Sequence, residues 1–148
     1  DSQSGMNVLR HTIAPLAREG RFFGEVKVAG KHQLSIAMIA RGEADIAAID
    51  CVTHALMARH DPASVAGTRI LAQTQAAPAL PYVTGMQTST ADWTRLRAAL
   101  DRALADPDLA SVRDDLMIQG FADLSLSDYH IMLEMEAGAE AAGYAQLQ

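Results

Sequence analysis

The chain has 148 residues, with 12 Lys and Arg against 18 Asp and Glu, a formal net charge of −6. Hydrophobic residues make up 49% and charged residues 20%, enough apolar material for a core, so wholesale disorder is excluded. Aromatic residues are only 5%, and no apolar run approaches the roughly 20 residues that span a bilayer. An acidic chain without basic or aromatic clusters predicts no nucleic-acid partner and no membrane-spanning segment. Cys51 is the single cysteine, which precludes an internal disulfide and fits either the cytosol or the periplasm.

In chain order, Ser2 or Ser4 is the expected N-cap of a helix through about Glu19, with Val8, Leu9, Ile13 and Leu16 on its apolar stripe and Pro15 dividing it. Gly20 breaks this pattern, and residues 25–28 alternate as a short strand. A second helix is expected over about 33–41, with Leu34, Ala37, Met38 and Ile39 facing inward and Gly42 closing its end. Residues 44–49 form a small-apolar run of the kind covered on both faces of a parallel sheet. Asp50 then precedes a third helix over about 51–59, stopped by Asp61-Pro62. Residues 68–75 and 82–85 read as further strands, separated by the extended stretch Pro78-Ala79-Leu80-Pro81. Helical patterns follow: one capped by Thr90 through about Ala105, a shorter one ending near Gly120, and one from Ser127 over about 128–142. Strands alternating with helices in the first half predict an α/β fold with a parallel sheet.

Four places carry chemistry-bearing residues. Ser2-Gln3-Ser4-Gly5 stands at a helix start, where unpaired backbone N–H groups and the positive dipole end suit an anion; an ordinary N-cap has the same appearance. Gly30-Lys31-His32 fails as a phosphate loop, since five residues separate Gly24 from Gly30 and His32 follows Lys31, but it places an imidazole at a helix start. Asp50, Cys51 and His54 offer half of a metal site with no second Cys/His pair to complete it, so no metal is expected and Asp50 reads as an N-cap beside a small buried Cys. Met132 and Met135 read as core, and Glu134 and Glu136 as a solvated helix face. No motif argues for a catalytic residue, and no cofactor is expected.

The three segments D-S-Q-S-G-M-N, A-G-K-H-Q-L-S-I-A-M-I-A-R-G-E-A-D-I-A-A-I-D and A-P-A-L-P-Y-V, in this order, resemble the periplasmic phosphate/phosphite/phosphonate-type substrate-binding proteins of ABC transporters, which have a type II periplasmic binding fold. The resemblance runs from Asp1 to about Leu100. It implies that Ser2, Gln3 and Ser4 cradle an oxyanion, that His32 adds an imidazole to it, and that Asp50 stands beside the ligand in an interlobe cleft. It also implies a second α/β lobe over 1–80, lacking its first strand, and over 81–148 a hinge crossing with a helical return to the first lobe. Some members carry an acidic residue before the proline of the crossing strand, to pair with a ligand amine; Leu80 stands there in this chain. The middle of the anion turn, often a small hydroxyl residue, is Gln3.

The function this implies is a periplasmic solute-binding component with two partners, a small phosphate- or phosphonate-like ligand and a membrane permease. Two other classes share the fold: the effector domain of a LysR-type regulator, which an upstream helix-turn-helix would mark, and an enzyme in which Cys51 or His54 takes a chemical role.

Overall fold

A computed structural model describes residues 2–148; Asp1, the first residue of the D-S-Q-S-G motif, lies outside them. The chain divides into two compact units, residues 1–77 with 125–148, and residues 78–124.

In the first unit, Ser2 opens a π-helical turn over Gln3–Asn7 that runs into α1 (Val8–Ile13) and a 3-10 turn at Ala14–Leu16. Pro15 falls in that last turn, as its missing N–H allows, and the helix ends there rather than at Glu19. Glu19 and Gly20 then take left-handed backbone, φ 52° and 75°, which reverses the chain. α2 (His32–Ala40) ends with Gly42 at φ 69°: its N–H bonds to Ile39 O and that of Glu43 to Met38 O, the expected glycine-terminated helix end. α3 (Cys51–His60) is followed by the one-turn α4 (Pro62–Val65), so Pro62 starts a new turn where only a stop was expected. The chain returns to this unit through a 3-10 turn at Leu126–Tyr129 and α7 (His130–Ala141). Ser125, rather than Ser127, caps that start, through a reciprocal pair with Asp128.

The core of this unit lies between its two ends. α1 packs on α7, and Ile13 and Ala14 bury against Ala139 and Tyr144. Tyr144 is fully buried, its hydroxyl donating to Gln148 O at 2.9 Å, and the Phe22 and Phe23 N–H groups bond to the same oxygen at 2.7 and 3.0 Å. On α2 the buried residue is Ile36, while Leu34, expected inward, is exposed.

The second unit is built on α5 (Thr90–Ala105), capped by Ser89 one residue earlier than expected, and α6 (Ala110–Asp115). The 3-10 turn Pro107–Leu109 joins them, and Arg113 donates to Ala103 O and Asp106 O at 3.1 and 2.7 Å. α6 stops short of Gly120 because Met117 turns left-handed at φ 57°. Tyr82 meets Phe121 edge to face, ring centroids 5.3 Å apart.

The α/β expectation is overturned. Among the described residues no parallel sheet forms; the β pairing present is one isolated antiparallel bridge between Arg18 and Arg21. Residues 25–28, 44–49, 68–75 and 82–85 form no strand, and Val28, Ile70 and Val83 are 94, 65 and 86% exposed. The physical reason is that a helix closes its backbone hydrogen bonds within one segment, whereas a strand exists only where a second segment supplies its ladder. Alternation and apolar runs describe which face a strand would bury, not whether it finds a neighbour. No helix among the described residues is long and apolar enough to cross a membrane.

Candidate functional site

The first turn of the chain is shaped by Ser2. Its backbone is extended, φ −135° and ψ 129°, and its oxygen atoms take the N–H groups that follow. Ser2 O accepts from Met6 and Asn7 at 3.1 and 2.9 Å, and Ser2 Oγ accepts from Gly5 N–H at 3.1 Å. A helix start leaves its first N–H groups without carbonyls one turn back, so those of Gln3 and Ser4 have no partner inside the helix. Because Ser2 Oγ accepts from Gly5, its own hydroxyl proton points elsewhere and is available as a donor.

The second element is the start of α2. Gly30, at φ 83°, and the extended Lys31 turn the chain so that His32 occupies the first helical position. His32 Nε2 lies 3.2 Å from Ser4 Oγ, a hydrogen bond between residues 28 apart in sequence. With the proton on Nε2, His32 donates to Ser4 Oγ and leaves the Ser4 hydroxyl proton free to donate to a third group. The approach is close: a Cβ on Gly5 would lie 3.2 Å from Ser2 Oγ, a tight contact, and 3.4 Å from His32 Cε1, at van der Waals distance. Thus the first turns of two helices, with the positive ends of their dipoles, meet at the Ser4–His32 pair.

Ser2, Ser4 and His32 are therefore brought together around Gly5, and the other two expected residues are engaged otherwise. The Gln3 side chain bonds to Asn7 and Met135, through Oε1 at 2.7 Å and Nε2 at 3.3 Å. Asp50 caps α3, its Oδ1 accepting from Thr53 N–H at 2.8 Å, as an N-cap should. Cys51, expected to be buried, is exposed, and among the described residues no group of His, Cys, Asp and Glu is placed to hold a metal.

Sequence reasoning named Gly5 in the turn without giving it a role, and missed Asn7 and Arg10. Asn7 and Arg10 are buried polar residues one turn apart on the face that meets α7. The spacings Gln3 to Asn7 and Asn7 to Arg10 are those of helix neighbours and were available as a signal. Their partners on α7 were not, because nothing local pairs residue 7 with residue 132.

A family model described as ABC transporter, phosphonate, periplasmic substrate-binding protein matches residues 1–129. Searches of the curated proteins and of the solved structures gave no match.

Proposed function

The chain belongs to the phosphonate-type periplasmic substrate-binding family of ABC transporters, and from that premise we propose that it binds a small phosphate- or phosphonate-like oxyanion for delivery to a membrane permease. Its ligand groups are the Gln3 and Ser4 N–H groups and the Ser2 and Ser4 hydroxyls, with His32 orienting the Ser4 hydroxyl toward the anion. The observation that supports this reading is the 3.2 Å pairing of Ser4 Oγ with His32 Nε2, which joins two helix starts from distant parts of the sequence. Directed N–H and O–H donors at positive dipole ends hold an oxyanion even in a chain of net charge −6. Asp50, which caps α3, enters this reading from the resemblance alone, as an acceptor for a protonated oxyanion. Where some members of the family carry an acidic residue for a ligand amine this chain has Leu80, so little preference for an amino-bearing tail is expected. Family membership favours transport over the effector-domain and enzyme readings.

Calorimetric titration with phosphate, phosphite, methylphosphonate and 2-aminoethylphosphonate tests the proposal. Each of Ser4→Ala and His32→Ala should weaken binding of the preferred anion at least tenfold, the loss expected of a hydrogen bond to a charged group. Asp50→Asn, which keeps the acceptor for Thr53, should weaken only singly protonated ligands. Undiminished binding in both Ser4→Ala and His32→Ala removes the site, and a clear preference for the aminoalkyl ligand removes the argument from Leu80.

A further inference from the structure

The Gln3 carboxamide is committed to the protein interior. Asn7, buried, donates through Nδ2 to Gln3 Oε1 at 2.7 Å and to Met132 O at 3.0 Å, and accepts at Oδ1 from Arg10 Nη2 at 3.1 Å. Arg10, also buried, donates to Ala145 O and pairs with Glu136 at 3.5 Å. The orientations are fixed without ambiguity. Met132 O can only accept and a guanidinium can only donate, so Asn7 must point its amide toward α7 and its oxygen toward Arg10. Gln3 must then offer Oε1 to Asn7, which turns its Nε2 onto Met135 Sδ at 3.3 Å. For the Gln3 amide to swing toward an anion it would have to leave a buried Asn7 N–H without its acceptor, which burial penalises. This strap also ends on α7, beyond the residues 1–129 that the family model covers.

We infer that Asn7 and Arg10 are positioning residues of the oxyanion turn: they hold the Gln3 carboxamide inward against α7, so that the middle residue of the turn contributes its backbone N–H and no side chain to the ligand. This inference rests on the oxyanion reading of the turn. It narrows the part that the resemblance gave Gln3 in cradling the anion to its backbone N–H, and it makes α7 part of what shapes the site.

The test is a titration of the ¹⁵N-labelled chain with inorganic phosphate and with methylphosphonate, read by NMR. The backbone amides of Gln3 and Ser4 and the His32 ring nitrogens should shift together to saturation, while the Gln3 side-chain NH₂ signals stay in place. Movement of the Gln3 NH₂ signals along with Ser4 overturns the inference and leaves the anion site standing. Absence of any shift in the turn overturns both. Two variants separate positioning from simple structural support. Gln3→Met removes the acceptor that holds the buried Asn7 amide, so it should weaken phosphate binding about tenfold, as Asn7→Ala does, and the double variant should lose no more than either alone, whereas additive losses overturn the inference. Asn7→Ala should weaken binding about tenfold and reduce the spread of the Gln3 NH₂ signals, although Asn7 does not reach the ligand. Should Asn7→Ala fail to fold, the Gln3 NH₂ signals of the parent chain decide alone, with their movement on saturation overturning the inference.

Discussion

The segment that carries the oxyanion turn and the unit of residues 78–124 are both helical, but they are held in different ways. Every buried residue of the chain described lies in the first unit, and most belong to α1, α7 and the residues next to them. α5 is the longest helix, 16 residues, and buries none of them. It forms through local devices: Ser89 Oγ accepts Asp92 N–H at 3.1 Å and donates to Asp92 Oδ2 at 2.8 Å, and Arg97 lies 3.4 Å from Asp101 one turn on. α1, only six residues long, is too short to persist on such terms and depends on α7. Helix formation and core formation are therefore separate achievements here, and the candidate site stands on the region that has both.

The largest expected effect sharpens that contrast. Tyr144→Ala removes a fully buried ring and the hydroxyl bonded to Gln148, and should cost the first unit about 3 kcal/mol or more in denaturant unfolding. Leu96→Ala on α5, where Leu96 is 53% exposed, should stay within about 0.5 kcal/mol. Comparable losses from the two would mean that α5 has burial that its exposure does not show.

A second pair uses glycines. Gly5→Ala sets a Cβ tight against Ser2 Oγ and at van der Waals contact with His32 Cε1, so it should cost up to about 1 kcal/mol and shift the Ser2 and His32 resonances. Gly85→Ala, in the second unit, meets nothing within 4 Å and should leave stability unchanged. A silent Gly5→Ala would show that the turn can open without loss, and the close packing around the site would then carry no weight.

How much could be read from the sequence follows the same division. The helices of residues 32–40, 51–60 and 90–105 stand within a residue or two of their expected places, because caps, Gly42 and helical periodicity are local signals. The pairing of Ser4 with His32 was legible only through the resemblance, which set the serine turn and the His turn on one ligand. The sheet was misread at residues 44–49 and 68–75, since apolar runs carry no information about a pairing neighbour. The strap from Gln3 through Asn7 to Met132 and Met135 was invisible for a related reason. Met135 was legible as core, but that it also accepts a hydrogen bond depends on a helix more than 120 residues away. Asp50 was read correctly as a cap, a role that depends only on Thr53.

An effect of similar size concerns caps. Ser89→Ala should cost about 1 kcal/mol and act locally, as faster amide exchange at Asp92 and Trp93 with the rest of the chain unaffected. Ser125→Ala removes the equivalent device at the approach to α7, where packing against α1 holds the helix as well. Its exchange effect on α7 should therefore be the weaker of the two. If α7 frays more than α5, the core assigned to the first unit does not anchor its helix.

The smallest effect distinguishes two surface carboxylates, one in each unit. Asp123 is held below the usual carboxylate range by hydrogen bonding to the Arg97 guanidinium, assisted by that charge; Asp128 is held below it by the Ser125 hydroxyl and backbone N–H. In both, the folded state favours the ionised form. Each contribution is thus present above the unfolded carboxylate pKa of about 4 and is lost as pH falls through the lowered folded value. Salt separates them. The Arg97–Asp123 pair is an exposed ion pair and loses most of its attraction at 1 M salt, where the Debye length is about 3 Å. The Asp128 bonds are to neutral donors one turn away and are little screened. Carboxyl NMR titrations at low and at 1 M salt should therefore show Asp123 moving up toward an ordinary value while Asp128 stays low. Equal upward movement of both would mean that the start of α7 is held by charge rather than by directed hydrogen bonds, and the distinction drawn between the two units would fail at their surfaces.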